Sequence, residues 1–393
     1  MFARCTVPIA LIAIAIGAAA AAFAAGPQPP DQPSTQDQPS TPDRYLRGRV
    51  LEILEEREQD MIAENQFVQI VRVRLRGVPS EAAEVRAEFS DVAADPARRL
   101  KPGDGVVVAA ADEEGGTVYY VVDRYRMPAL GLAVGLFFAL AVVFSRRRGI
   151  SAILGLGITA LVLARFIVPA IIGGGNPLVV SLVGALVIVF ASIYLAHGFN
   201  LRTSIAVGST LVTLIIAWVL SIVFVGLANL FGLGSEEAFY LQLAPVEQLN
   251  LRGLLLGGII LGALGVLDDI TTAQAAAVDE LRKANPALTM QELYRRGLSV
   301  GTEHITSLVN TLFLAYAGAS LPLFILFTIY NETPVWVALN SEFVAEEVVR
   351  TLVGSIALIL AVPITTAAAA IILSRRGGVG TEGMAEGHRH GGL

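Results

Sequence analysis

The sequence predicts an α-helical polytopic membrane bundle of seven spans, placed after a signal peptide and a small extracytoplasmic all-β barrel of OB-like or SH3-like type. Three observations predict this. Of the 393 residues, 54 % are hydrophobic and only 16 % are charged, against roughly 25 % charged in soluble domains. The apolar residues, with a mean hydropathy of +0.64, are gathered into runs longer than a soluble core helix needs. Before the first of these runs lie several short segments rich in β-branched and aromatic residues, separated by Gly, Pro and Asp turns, which is how strands are written.

The chain opens with "MFARCTVPIALIAIAIGAAAAAFAAG". It has one basic residue, an apolar run from Val7 to Ile16 and a small-residue end at Ala22 to Ala25, so residues 1–25 read as a signal peptide or an uncleaved anchor. Residues 26–43 are Pro, Gln, Ser and Asp with nothing apolar to bury, and form a disordered Pro-rich linker. Residues 44–127 hold the barrel strands. In "FVQIVRVRLR", Val71, Val73 and Leu75 share one face and Arg72, Arg74 and Arg76 the other, a half-buried strand. "LKPGD" at Leu100 to Asp104 reads as the turn feeding the fourth strand.

Residues 128–374 form the membrane domain, with spans expected at 129–145, 150–172, 177–196, 204–231, 251–267, 299–330 and 348–373, and residues 375–393 a disordered tail. Arg146 to Arg148, Arg202, Arg282, Lys283, Arg295, Arg296, Arg375 and Arg376 fall in loops on one side. The other side holds Arg252 and Arg350 among seven glutamates. The positive-inside rule then puts the C-terminus in the cytoplasm and residues 44–127 outside the cytoplasmic membrane. No basic patch interleaved with aromatics suggests nucleic acid. The single cysteine, Cys5, lies in the leader, which argues against disulfides and Cys-based metal sites, and no cofactor or metal motif is expected elsewhere. The expected partners are the lipid bilayer, a small solute or ion, and a further copy of the chain in a homo-oligomer.

Two polar constellations interrupt the apolar spans. The fifth span, "RGLLLGGIILGALGVLDD", carries Gly253 with Gly257 and Gly258 with Gly262, two G-x-x-x-G pairs suited to close helix packing. It ends in Asp268 and Asp269, expected to cap the N-terminus of a following helix "ITTAQAAAVDELRKA". One cap needs one carboxylate, so the second, continued by Thr271, Thr272 and Gln274, marks a candidate ion or solute site. Asn285-Pro286 breaks the chain and Thr289 with Glu292 restarts it as a capping box. In the sixth span Glu303, Thr306, Ser307 and Asn310 recur at i, i+3, i+4 and i+7, with His304 and Thr311 on the flank. Such side chains within a span are costly unless they face a partner or a wet cavity. Arg165, inside the second span, either snorkels or pairs with a carboxylate such as Glu303. Pro169, Pro322 and Pro363 are expected to break or kink three helices.

The stretches "RRRGISAILGLGITALVLARFIVPAIIGGGNPLVVSLVGALVIVF", "NLRGLLLGGIILGALGVLDDITTAQAAAVDELRKANP" and "NTLFLAYAGASLPLFILF" are similar to the YibE/F family of bacterial multi-span membrane proteins, over roughly residues 44–373. The resemblance implies that family's architecture, a β-rich part followed by a multi-span bundle. It implies no functional residue, the family being described only as membrane proteins or permeases.

Function is then read from the polar residues. A secondary transporter accounts for carboxylates and amides near the inner membrane face. A scaffold or sensor with a ligand-binding outer barrel is the alternative. An enzyme is not expected: "GVLDD" resembles the Asp-Asp motif of polyprenyl-phosphate transferases only superficially, no acidic or His-rich cytoplasmic loop follows, and the spans supply no second aspartate for an intramembrane protease.

Overall fold

The structure, a computed structural model, describes residues 44–60, 65–78, 83–91, 96–113, 116–243, 249–329 and 334–377. The expected signal peptide, linker and most of the tail lie outside the described residues. The chain divides into two compact units, one extending to Phe144 and the other starting at Ser145.

The first unit contains five strands, β1 Arg44–Asp60, β2 Asn65–Arg76, β3 Glu84–Asp91, β4 Gly105–Glu113 and β5 Gly116–Arg124, closed in the order β1-β2-β3-β5-β4. Val71, Val73 and Leu75 face inward at 4 % exposure or less, and the alternating arginines face out, as the period-two pattern requires. β1 pairs with both β2 and β4, and its register shifts at Val50/Glu52 and Ile53/Glu55. Such bulges increase local twist and help one strand serve two neighbours. Gly48 is needed where the barrel closes most tightly: a Cβ there would come within 2.3 Å of a Val73 methyl. Closure between β3 and β5 is parallel, through Ala87↔Tyr119 and Glu88↔Tyr120, and it removes both free sheet edges. The buried Gln69 Oε1 accepts from the Leu100 N–H at 2.7 Å and fastens the Leu100–Asp104 turn onto the barrel. The same unit includes most of the first span, α1 (Met127–Arg146), none of whose apolar residues is buried.

Six described helices are long and apolar enough to cross a membrane: α1, then α2 (Gly149–Ile172), α3 (Pro177–His197), α4 (Leu201–Leu227), α6 (Leu251–Ala284) and α10, whose spanning part is Glu342–Arg375. A short α5 (Glu236–Leu243) lies between α4 and α6. Where a sixth span over 299–330 was expected, the chain forms two helices, α7 (Met290–Ala319) and α8 (Leu321–Ile329), followed by a short α9 (Val335–Leu339). The break falls at Ser320, just before Pro322, because proline supplies no N–H to the ladder and its ring clashes with the carbonyl four residues back. Pro363, by contrast, sits inside the continuous α10, Glu342–Gly377. Pro169 follows a π-helical turn, Leu163–Ile167, inside α2, and such turns absorb an interrupted ladder.

The directions of the helices follow from their contacts. α3 and α6 run parallel: Ser181 meets Gly257 and Ser192 meets Asp268. α4 runs against them, with Ile205 and Ala206 clustered with Ala275 and Val278 while Gly226 lies by Arg252. α10 starts at the far end of α4, where Glu342 accepts N–H groups of Phe231, Gly232 and Leu233, and Glu346 accepts that of Gly234. α7 lies antiparallel to both α6 and α10, from Gly297 beside Val278 to Leu312 beside Gly354 and Tyr316 beside Gly262. The start of α4, the end of α6, the start of α7 and the end of α10 therefore gather at one end of the bundle, and bring Arg202, Arg282, Lys283, Arg295 and Arg375 with them. The main core, including Leu214, Ile260, Leu267 and Ala361, fills the space between α3, α4, α6 and α10.

Candidate functional site: a buried polar layer

The aspartate pair does not cap a new helix. α6 is unbroken from Leu251 to Ala284 and stops only at Asn285. The Ala-rich segment after Asp269 is too strong a helix former to restart where no Gly or Pro interrupts it. The two carboxylates consequently point about 100° apart around one helix. Asp268 is half-buried and accepts the hydroxyl of Ser192 on α3 at 3.1 Å. Asp269 is exposed. Thr272 donates back to the carbonyls of Asp268 and Asp269, a bond internal to the helix.

Thr271 and Gln274, one and two turns beyond Asp268, are completely buried. The Thr271 hydroxyl pairs with that of Thr210 on α4 at 2.7 Å. Gln274 Nε2 donates to the Gly297 carbonyl on α7 and to Thr366 Oγ1 on α10, each at 2.7 Å. Thr366 in turn donates to Val362 O at 2.6 Å. A layer of neutral polar side chains thus ties four helices together at one depth. Ser209 and Thr213, close in sequence to Thr210 on α4, and Thr365, next to Thr366 on α10, are buried as well. Among the described residues, Gln274 Oε1, Ser209 Oγ and Thr365 Oγ1 have no hydrogen-bond partner. Each such atom costs about 1–3 kcal/mol, so three of them in a helical core are a chemical statement. Hydroxyl and amide oxygens are ligands for hard cations and hydrogen-bond partners for small polar solutes.

The remaining sequence candidates lie elsewhere. Glu303, His304, Thr306, Ser307 and Asn310 are all exposed on α7; all but His304, on the flank, lie on the side turned away from Gly301 and Leu312, which pack inward. Among the described residues no hydrogen bond or ion pair joins this stripe to Asp268, Asp269 or Gln274. Arg165 is exposed in the π-helical turn of α2, with no ion pair to Glu303 among the described residues.

The glycines divide similarly. A Cβ on Gly257 would meet Ser181 Oγ at 2.4 Å, one on Gly253 would meet Asn250 and Pro177 at 3.1 and 3.3 Å, and one on Gly262 the Tyr316 hydroxyl at 3.1 Å, whereas Gly258 has nothing within 4 Å. The tightest pair among α7's contacts escaped the sequence reading: Gly297 and Gly301 are themselves a G-x-x-x-G, and a Cβ on Gly301 would lie 2.3 Å from Val362 and 2.8 Å from Gln274 Oε1. Ser209, Thr210, Thr365 and Thr366 were also missed. Their signal was present as hydroxyls within otherwise apolar runs, "VGSTLVT" and "PITTAAAA".

No curated protein and no solved structure matches the chain. The model of one family, described as YibE/F-like protein, matches residues 133–375, more than half of the sequence and all of α2 to α9. The chain belongs to the YibE/F-like family.

Proposed function

We propose that this membrane protein is a secondary permease for a small ion or polar solute, and that its path crosses the buried layer formed by Ser209, Thr210, Thr271, Gln274, Thr365 and Thr366. The observation that carries the reading is the unpartnered Gln274 Oε1, buried on α6 while Ser209 Oγ on α4 and Thr365 Oγ1 on α10, the neighbours in sequence of Thr210 and Thr366, are also buried without a partner among the described residues. A core that had only to hold helices together would be more stable with apolar side chains in these places. In this reading α7 and α8 together make a seventh crossing, since α6 ends and α10 begins at opposite ends of the bundle. The gathering of Arg202, Arg282, Lys283 and Arg295 at one end supports a cytoplasmic placement for that end and an outer placement for the barrel. Asp268, held by Ser192, stands between the layer and the opposite half of the span.

The alternative, a scaffold or sensor whose barrel binds a ligand, has one groove in its favour, of about 300 Å³ and lined by Arg98, Arg124 and Arg126. These cations are already engaged: Arg98 with Asp91, Arg126 with Asp123, and Arg124 with the carbonyl of Arg99. The bundle is therefore the better supported site. Proteoliposomes of the full chain, tested with labelled sodium, labelled rubidium and a trapped pH dye, examine the permease reading. Flux above that of empty vesicles, lost in Gln274→Leu, supports it. Equal flux with and without protein for all three probes would leave the scaffold.

A further inference from the structure

At the cation-rich end of the bundle a cavity of about 650 Å³ opens between the start of α4, the end of α6 and α10. Arg202, Arg282 and Lys283 line it with a single carboxylate, Asp279. That carboxylate is committed, because Lys283 Nζ lies 2.7 Å from Asp279 and 2.8 Å from Glu280. Arg282 uses Nη1 on the Leu288 carbonyl at 2.7 Å, and its remaining fork is not occupied by any bond among the described residues. Arg202 has no hydrogen-bond or ion-pair partner among the described residues.

Arg282 and Lys283 stand in the last turn of α6, where cations are favoured by the helix dipole and need no other explanation. Arg202 is placed the other way. It sits in the first turn of α4, which contains no acidic residue, so a fixed positive charge is added to the positive end of a 27-residue helix. The Asn200 side chain accepts the Thr203 N–H at 2.9 Å, and Asn200, Leu201 and Arg202 all line the same opening. An anion there would offset both the Arg202 charge and the positive end of the helix. The apolar part of the lining, Leu201, Pro286 and Leu373, suits an anion that carries a hydrocarbon substituent.

We propose that this cavity is a binding site for a phosphate group, held by Arg202 and Arg282, with Lys283 at its rim. Two sources share this chemistry: the phosphodiester of an anionic lipid, reached from the adjoining leaflet, and a soluble phosphate. The cavity is separate from the buried polar layer, and the proposal holds whether or not the bundle transports.

The test uses the full chain in neutral detergent, titrated in one arm with inorganic phosphate and in the other with phosphatidylglycerol against phosphatidylcholine, with binding read by native mass spectrometry. Wild type should bind the probe of at least one arm in preference to phosphatidylcholine. Arg202→Gln and Arg282→Gln should each weaken that binding roughly five-fold, Arg202→Lys should keep most of it, and Arg295→Gln, exposed on α7 outside the cavity, should change nothing. Phosphatidylglycerol retention without phosphate binding identifies the lipid as the source, and phosphate binding identifies the soluble anion. If Arg202→Gln does not purify, Arg202→Lys and Arg282→Gln decide, since both fold-neutral charge arguments predict that only the second weakens binding. Absence of preference in both arms, or equal weakening by Arg295→Gln, would overturn the site.

Discussion

Gln274 donates to Thr366 across the α6–α10 contact at 2.7 Å, while its own carbonyl oxygen, fully buried, accepts no hydrogen bond among the described residues. In the barrel, Gln69 is equally buried, yet its oxygen accepts the Leu100 N–H and its nitrogen reaches Leu100 O at 3.4 Å. The two glutamines have the same burial and opposite hydrogen-bond balance. Substitution by leucine should separate them. Gln69→Leu orphans a buried backbone N–H and should lower barrel stability by about 1–3 kcal/mol, seen as a lower unfolding midpoint. Gln274→Leu removes an unsatisfied oxygen along with two bonds, so the bundle's thermal midpoint should move little while any flux disappears.

The glycines of α7 and α6 make a second contrast. Gly301→Ala forces a methyl to 2.3 Å from Val362 and should destabilise the bundle by about 1–3 kcal/mol through overpacking. Gly258→Ala meets open space and removes a weak helix former, with a gain of up to about 1 kcal/mol. Thermal unfolding of the two variants in one detergent compares them directly.

The capping box at the start of α7 carries a pH dependence outside the spanning segments. Thr289 donates to Glu292 from both its backbone N–H and its hydroxyl, at 2.9 and 2.8 Å, and these bonds, the backbone one first, hold the Glu292 carboxyl below the ordinary glutamate range, with Arg296 and Arg295 adding to the effect. A carboxylate with a depressed folded pKa contributes stability above its unfolded value, near ~4.3, and loses it as pH falls through the lower folded value. Protection of the Glu292 and Leu293 amides, taken relative to their intrinsic exchange rates, should therefore fall below about pH 4 in wild type and be less pH-sensitive in Glu292→Gln.

Much of the architecture could be read from residue order because hydropathy and period-two alternation are local. The strand bearing Val71, Val73 and Leu75 and most span boundaries follow from them. The end of the fifth span did not, because the charges of Asp268 and Asp269 suggest a membrane boundary whereas helix continuity is decided by the alanines that follow. The site was legible only in part. Thr271 and Gln274 stand out in the sequence as part of a polar run, but which helical face they occupy depends on α4, α7 and α10. The i, i+4 stripe of Glu303, Ser307 and Asn310 was read correctly as one face of a helix. That the face turns away from the core is fixed by Gly297 and Gly301, whose missing side chains draw the opposite face of α7 against α6 and α10.

If the bundle is a permease, water and solutes reach the layer around Gln274. Cys5 is the only cysteine, so after Cys5→Ser single cysteines report cleanly. Ser209→Cys, Thr365→Cys and, as a dry-core control, Ala361→Cys can be exposed in proteoliposomes to a small, charged thiosulfonate. Labelling is expected at 209 or 365 and is lost when Gln274→Leu is added, with 361 inert. If 209 and 365 are as unreactive as 361, the layer is sealed packing and the permease reading is contradicted.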